Sequence, residues 1–334
     1  MHVSIPPVTL ARDDNTTRCC SLFEKAPKGF CKMNASKLIP LLPVIAGIMW
    51  GSVGVFVRFL TAGGLDNGTI VCTRMLVSAI VLGLFMLVKN RELFKFPKKA
   101  IPMLLIGAII GSAYMNVMYN IAILQLHLAL SSVLLGMFAL WAIFLGCIFF
   151  KEKLTVRKIV CVVLALFGVL LVSGALEQTD ISHVSLFGVV IGLTAALMYA
   201  INGVTTRVMG NWGMDALTIN FYYFLIAAIS LLPLCHWDQV VAYVAASPFS
   251  SIVWLISQSL VCAIIPYVLF TIALNNMDIG IASTLELIEP AAGMVFGFVL
   301  FGENPTILMV IGVAVVIFAL SMTYRSPRKT SPEG

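Results

Sequence analysis

Long apolar runs separated by short polar ones dominate this chain. Ten of them approach the roughly 20 residues that a helix rising about 1.5 Å per residue needs to cross a hydrocarbon core about 30 Å thick. They fall at about Leu38–Leu60, Thr69–Val88, Ile101–Ala122, Leu128–Phe150, Val156–Ser173, Leu186–Arg207, Ala216–Cys235, Ile252–Leu274, Ile281–Phe301 and Ile307–Tyr324. The pattern predicts an all-α membrane protein of ten transmembrane helices. The first run is too long for a secretory signal and has no small-residue cleavage pattern after it, so it reads as a retained span. Residues 1–37 hold no apolar core of their own and are expected to form a disordered tail; residues 325–334 form a second, shorter tail.

Composition agrees with the pattern. Of 334 residues, 60% are apolar and 11% charged, which leaves a soluble domain too little polar surface to stay dispersed. The position of the charges says more than their sum. With the N-terminus in the cytoplasm, the tail cations Arg12, Arg18, Lys25, Lys28, Lys32 and Lys37 lie inside. So do Lys89, Arg91, Lys95, Lys98 and Lys99, then Lys151, Lys153, Arg157 and Lys158, then Arg207, and finally Arg325, Arg328 and Lys329. Only Arg58 and Arg74, both within spans, stand apart, while Asp66, Glu177, Asp180 and Asp238 fall outside. The positive-inside rule therefore places both termini in the cytoplasm of a multi-pass protein of the cell's inner membrane. The basic clusters read as topology signals, with the lipid bilayer and not nucleic acid as the partner.

The chain repeats itself. Residues 101–169 lie over 252–320 without a gap at an offset of 151, bringing Phe150 onto Phe301, Glu152 onto Glu303, Thr155 onto Thr306, Gly146 onto Gly297 and Ser132 onto Ser283. At an offset of 149, Trp50, Gly54 and Arg58 fall on Tyr199, Gly203 and Arg207. Each repeat, 38–173 and 186–324, holds five spans. An odd number obliges the second to cross the membrane upside down, the geometry that lets two halves rock about a shared midplane site. A transporter is expected from this; inverted duplication in a channel is the rival reading.

Other chemistry finds little support. Cys72, Cys147, Cys161, Cys235 and Cys262 lie in or at the ends of spans as small apolar residues, and Cys19, Cys20 and Cys31 sit in the tail as reduced spectators. Neither these nor His2, His127, His183 and His236 have metal-ligand spacing, and a phosphate-binding Walker loop is missing from the sequence. No cofactor, metal or enzymatic activity is expected. The sixteen methionines read as adaptable packing.

Several of these residues resemble a known family. Trp50-Gly51-Ser52, Arg74, Leu287-Ile288-Glu289-Pro290-Ala291, and the acids Glu152 and Glu303 just after spans four and nine are similar to the EamA-type family of the drug/metabolite transporter superfamily, over about residues 38–324. The resemblance implies a ten-helix secondary carrier of small organic solutes, often an exporter of amino acids or related metabolites, with a central cavity between its halves. One departure is Ala139, which stands where the first half commonly carries the proline that Pro290 supplies in the second. The first-half helix is expected to be straighter.

The strongest candidates for chemistry are Glu286 and Glu289. A carboxylate at mid-bilayer costs roughly 2.5–3.5 kcal/mol, so two on one otherwise apolar run call for a reason. Three apart, they share a helix face with Ala282, Gly293 and Gly297, and that face must meet protein or water. Their first-half counterparts are Leu135 and Phe138. Glu289, beside Pro290, can bind a cationic substrate group or a coupling proton; the alternatives are an ion pair with Arg74 or a hydrogen bond to a neighbouring helix. Arg74 can bind a substrate carboxylate or pair with an acid.

Asn116, Tyr119 and Asn120, with Tyr114, answer Pro266, Tyr267 and Thr271 across the repeat. With Trp50 and Tyr199 they outline an aromatic, amide-lined cavity suited to an organic cation or an aromatic amino acid, unless they only join helices. Gly47, Gly51, Gly54 and Arg58 form a stripe on span one, read as close helix packing ending in a snorkelling anchor. Glu152 and Glu303 are expected to cap the spans that follow them.

The sequence reading is a secondary transporter of a small organic metabolite, an amino acid or a related compound, working by alternating access with proton coupling or exchange. A carrier of organic cations or sugar derivatives, and outside transport a membrane receptor or accessory subunit, are the rivals. A homodimer is compatible with the sequence.

Overall fold

A computed structural model of the chain describes residues 38–177 and 185–324, and every regular element in them is helical. The fold below belongs to the unit beginning at Ile39. Each of the ten predicted runs coincides with a helical rod. Eight are long and apolar enough to cross a membrane: α1 (Leu41–Ala62), α2 (Asn67–Lys89), α3 (Lys98–Ile123), α4 (Leu130–Phe150), and, in the second half, the four at Leu186–Asn211, Ala216–Leu234, Pro248–Asn276 and Ile279–Phe301. Two further apolar helices are shorter, α5 (Val156–Val172) between the halves of this set and a last one at Ile307–Tyr324. In chain order the second half is therefore α6 (Leu186–Asn211), α7 (Ala216–Leu234), α8 (Pro248–Asn276), α9 (Ile279–Phe301) and α10 (Ile307–Tyr324). The expectations for the two tails, for their basic residues and for Asp180 and His183 fall outside the described residues.

Between α3 and α4 the helical hydrogen bonding runs on through Met115–Gly136, yet Tyr119 Oη lies 3.2 Å from Ser132 Oγ, thirteen residues away. Thirteen residues of straight helix span about 20 Å. The chain therefore doubles back between the two rods, as it does between α8 and α9 at Met277 and Asp278.

The irregularities repeat along with the residues. A π-helical stretch, Ile106–Tyr114, interrupts α3, and another, Leu260–Ile264, interrupts α8 at the equivalent depth. Widening a helix in this way frees backbone carbonyls, and in α3 the amide of Asn202 donates to Gly107 O at 3.1 Å and to Ser112 Oγ at 3.0 Å. Gly111 makes room for it: a Cβ there would meet Asn202 Cβ at 2.7 Å. Helix α9 breaks at Leu287–Ile288, just ahead of Pro290, and α4 breaks at Met137. The interruption thus persists in the first half with Ala139 in place of proline, over one residue where the second half has two.

Packing exchanges the halves. Helix α1 lies against α8 and α9, while its repeat partner α6 lies against α3 and α4. Helices α2 and α7 pair, as do α5 and α10. The last pair meets backbone to backbone at Gly168 and Gly312, where a Cβ on Gly312 would approach Gly168 O at 2.8 Å, the close crossing that small residues allow between helices in lipid. Interior clusters mix the two halves, one of them joining Trp50 and Ala142 to Ala200, Phe270 and Ile279. Large apolar side chains such as Leu84, Phe144, Phe187, Phe298 and Phe318 stand on the exterior, where hydrocarbon and not water suits them.

Candidate functional site

The site forms where α1 presses on the break in α9. A Cβ on Gly47 would come within 2.6 Å of Ile288 Cγ2 and 2.7 Å of Glu286 O, and one on Gly51 within 2.8 Å of Glu289 O. These two glycines let the α1 backbone reach the interrupted turn that carries both acids. Gly54 is different, since a Cβ there would meet nothing within 4 Å. Next to Gly51, Ser52 divides α1 and donates to Met49 O at 2.6 Å.

Glu286 is sealed, 1% exposed, and its Oε1 accepts a 2.5 Å hydrogen bond from Tyr199 Oη. Its Oε2 has no partner among the described residues. Glu289 is partly exposed and, among those residues, forms no ion pair. Arg74 is buried on α2 with its Nε unpartnered, near enough for its charge to act on Glu289, Tyr267 and Cys262. The ion pair considered for Glu289 and Arg74 is therefore not made. Acid and guanidinium lie within electrostatic reach of each other without pairing.

Aromatic rings pack around these groups. Trp50 meets Tyr267 edge to face at 5.0 Å and Phe270 at 5.6 Å. Tyr199 packs at 4.7 Å on Phe138, the first-half counterpart of Glu289. Tyr119 feels the charge of Glu289 and holds Ser132. The structure thus gathers Trp50, Arg74, Tyr119, Tyr199, Tyr267, Glu286 and Glu289.

The amides do not complete the set. Asn116 turns back on its own helix to Ser112 O at 2.8 Å, and Asn120 accepts from Asn67 at an exposed end of the rods. Tyr114 is half exposed, and Thr271 accepts from Asn220 at the α7–α8 contact. Cys262, 3.8 Å from Ser52 Oγ and close to both Arg74 and Glu289, was not marked by sequence, because an isolated cysteine in an apolar run reads as packing.

Two ion pairs stand at opposite ends of the rods. After α4, Glu152 accepts from Arg207 on α6 and, at 2.9 Å, from the Ile279 N–H that begins α9. Lys158 on α5 lies 3.7 Å from Glu152 and 2.9 Å from Asp278. After α9, Glu303 meets Arg58 at 2.5 Å. In each pair the guanidinium also covers an aromatic ring, Phe150 at 4.6 Å for Arg207 and Phe301 at 4.5 Å for Arg58. Each acid folds back over a glycine of its own helix, Gly146 or Gly297, where a Cβ would clash with it.

These pairs correct two expectations. Glu152 caps α9 of the other half and not the span that follows it, and Arg58 is an ion-pair partner and not a free anchor. They also differ in enclosure: the side chains of Arg207 and Glu152 are 7% and 2% exposed, those of Arg58 and Glu303 52% and 51%.

The same two-fold arrangement appears in comparison with other proteins. The EamA-like transporter family matches residues 37–174 and again 186–325. The chain belongs to that family. An uncharacterized transporter of Archaeoglobus fulgidus is 24% identical over 282 residues, 84% of this chain and 94% of that one. The uncharacterized transporter YxxF of Bacillus subtilis is 23% identical over 90% of this chain and 93% of its own. One crystal structure superposes with a TM-score of 0.68 at 12% identity, over 85% of this chain and 95% of that one, a likeness of fold. This EamA-like protein is a multi-pass membrane transporter built from two family repeats.

Proposed function

We propose that this EamA-like protein is a secondary transporter of a small zwitterionic metabolite, an amino acid or a close relative, moved by alternating access between two inverted five-helix halves of a ten-span bundle. Both termini are cytoplasmic in this reading, and the membrane is the cell's inner one. The observation that carries it is the unclosed charge pair at mid-bundle. Arg74 offers donors for a carboxylate, while Glu289, with Glu286 behind it, offers acceptors for an ammonium group. A zwitterion laid between them satisfies both charges at once, and the rings of Trp50 and Tyr267 cover its side chain.

The unequal ion pairs support the transport cycle. In this reading the end enclosed by Arg207, Glu152, Lys158 and Asp278 is the cytoplasmic one and the more exposed Arg58–Glu303 pair the outer one, an outward-facing arrangement. Repeat symmetry then supplies the opposite arrangement, with enclosure exchanged between the pairs. Partly exposed Glu289 is the group that takes the coupling proton or, in an exchanger, the second solute.

The test is saturable uptake of labelled amino acids by reconstituted vesicles, with and without an imposed pH difference. Uptake that disappears in Arg74→Ala and loses its response to the pH difference in Glu289→Gln supports the reading. Full, normally pH-dependent flux in Glu289→Gln ends the coupling role. Saturable flux of organic cations that survives Arg74→Ala ends the zwitterion assignment.

A further inference from the structure

We propose that Cys72 and Cys235 are a disulfide-forming pair that staples α2 of the first half to the end of α7 in the second. The assignment of that staple to the outer face rests on the topology given under the proposed function. The pair itself rests on geometry. Cys72 follows Thr69 by three residues on α2, so the two share a helix face. Thr69 Oγ1 accepts from the backbone N–H of His236 at 3.0 Å, which draws the preceding residue, Cys235, onto that face. There Cys72 and Cys235 come together as neighbours in one buried cluster.

The backbone around both sulfurs is tied down independently of any bond between them. Asp66 caps α2 by accepting from Thr69 N at 2.9 Å, and its other oxygen lies 2.6 Å from His236 Nδ1. Asp66 N donates to Gln239 Oε1 at 2.9 Å. Two chain segments clamped at this register need only bring neighbouring sulfurs to a bond of about 2.0 Å. No other described cysteine has a thiol neighbour of this kind; Cys262 faces the hydroxyl of Ser52. Cys235 keeps 8% of its surface exposed between exposed Leu234 and His236, whereas Cys72 has none.

That order sets the chemistry. The Cys235 thiolate attacks an organic disulfide of the outer compartment, forming a mixed disulfide and releasing one thiol. Cys72 then displaces the second thiol, forming the Cys72–Cys235 bond. Both cysteine protons leave with the two released thiols, and the organic disulfide takes up the two electrons. The product joins the halves of the transporter at one face and closes a long stretch of chain, which stabilises the fold.

The experiment treats the full-length protein in detergent with oxidised glutathione, alkylates remaining thiols under denaturing conditions and maps the peptides. Expected are a Cys72–Cys235 linked peptide, two fewer alkylated cysteines than in the reduced protein, and an upward shift of several degrees in melting temperature reversed by a phosphine. Cys72→Ser and Cys235→Ser should each abolish the shift, and Cys161→Ser should leave it. Cysteines 72 and 235 that stay alkylatable, or glutathione retained on Cys235, overturn the pair. Trapping thiols in intact cells before lysis then reports the compartment, and a pair that links in detergent but is free in cells overturns the staple. Labelling of Asp238→Cys by an impermeant maleimide, with both cysteines replaced by serine, tells separately whether the topology has failed.

Discussion

Arg207 and Arg58 occupy the same position of the repeat, and each is seated on a carboxylate from the opposite half, Glu152 for the first and Glu303 for the second. Only the first is sealed from solvent. Removing one partner from a buried pair leaves an uncompensated charge and costs about 3–5 kcal/mol, whereas an exposed pair is worth about 0–1 kcal/mol. Arg207→Ala is therefore expected to lower the melting temperature far more than Arg58→Ala, measured side by side in one detergent. Equal losses would mean that the two ends are equally closed in solution.

The α1 glycines separate in the same manner. At Gly47 and Gly51 an added methyl meets the α9 backbone, which a rotamer change cannot relieve, so alanine at either should destabilise by about 1–3 kcal/mol. Gly54→Ala meets no neighbour and should stay within about 0.5 kcal/mol of the parent. Thermal unfolding of the three variants checks this. Because the crossing also positions Glu286 and Glu289, solute uptake should fall in the first two and persist in the third.

How far this was legible follows from what each kind of signal encodes. Lipid demands long apolar runs, so the rods could be read directly, and the family repeat could be read from Glu152 and Glu303 or Trp50 and Tyr199 recurring at fixed offsets. Isolated charges in those runs marked Arg74, Glu286 and Glu289, which the fold does bring together. What spacing along one helix cannot carry is the partner on another. Nothing local tells that Glu152 reaches Ile279 of the other half, that Asn120 ends beside Asn67, or that Cys235 returns to Cys72. The break in α4 at Met137 was invisible for a related reason, since no proline or glycine pair announces it.

Two tyrosines of the site should behave differently when their hydroxyls are removed. Tyr199 supplies the hydrogen bond to sealed Glu286, so Tyr199→Phe leaves a buried carboxyl oxygen without its donor, at a cost of about 1–3 kcal/mol. Tyr267 serves through its ring against Trp50 and Phe224, and its hydroxyl has no hydrogen bond among the described residues. Tyr267→Phe should change stability by less than about 0.5 kcal/mol. A Tyr267→Phe variant as unstable as Tyr199→Phe would show that the Tyr267 hydroxyl has a partner in the bilayer-embedded protein.

Acid should loosen the α2 N-terminus through Asp66. Partial burial pushes this carboxyl up, but the Thr69 N–H and hydroxyl and the neighbouring His236 outweigh it and hold the group below its ordinary value of 3.8. A carboxyl held lower in the folded state than in the unfolded chain stabilises the fold fully above the unfolded value, near pH 4, and stops doing so as pH falls through the folded one. Asp66→Asn should therefore melt below the parent at pH 6, and the gap should narrow on acidification below about pH 4. Melting curves of both proteins from pH 7 to pH 3, roughly spanning the carboxylate range, make the comparison. A gap that stays constant throughout would show that the cap works through its geometry and not through its charge.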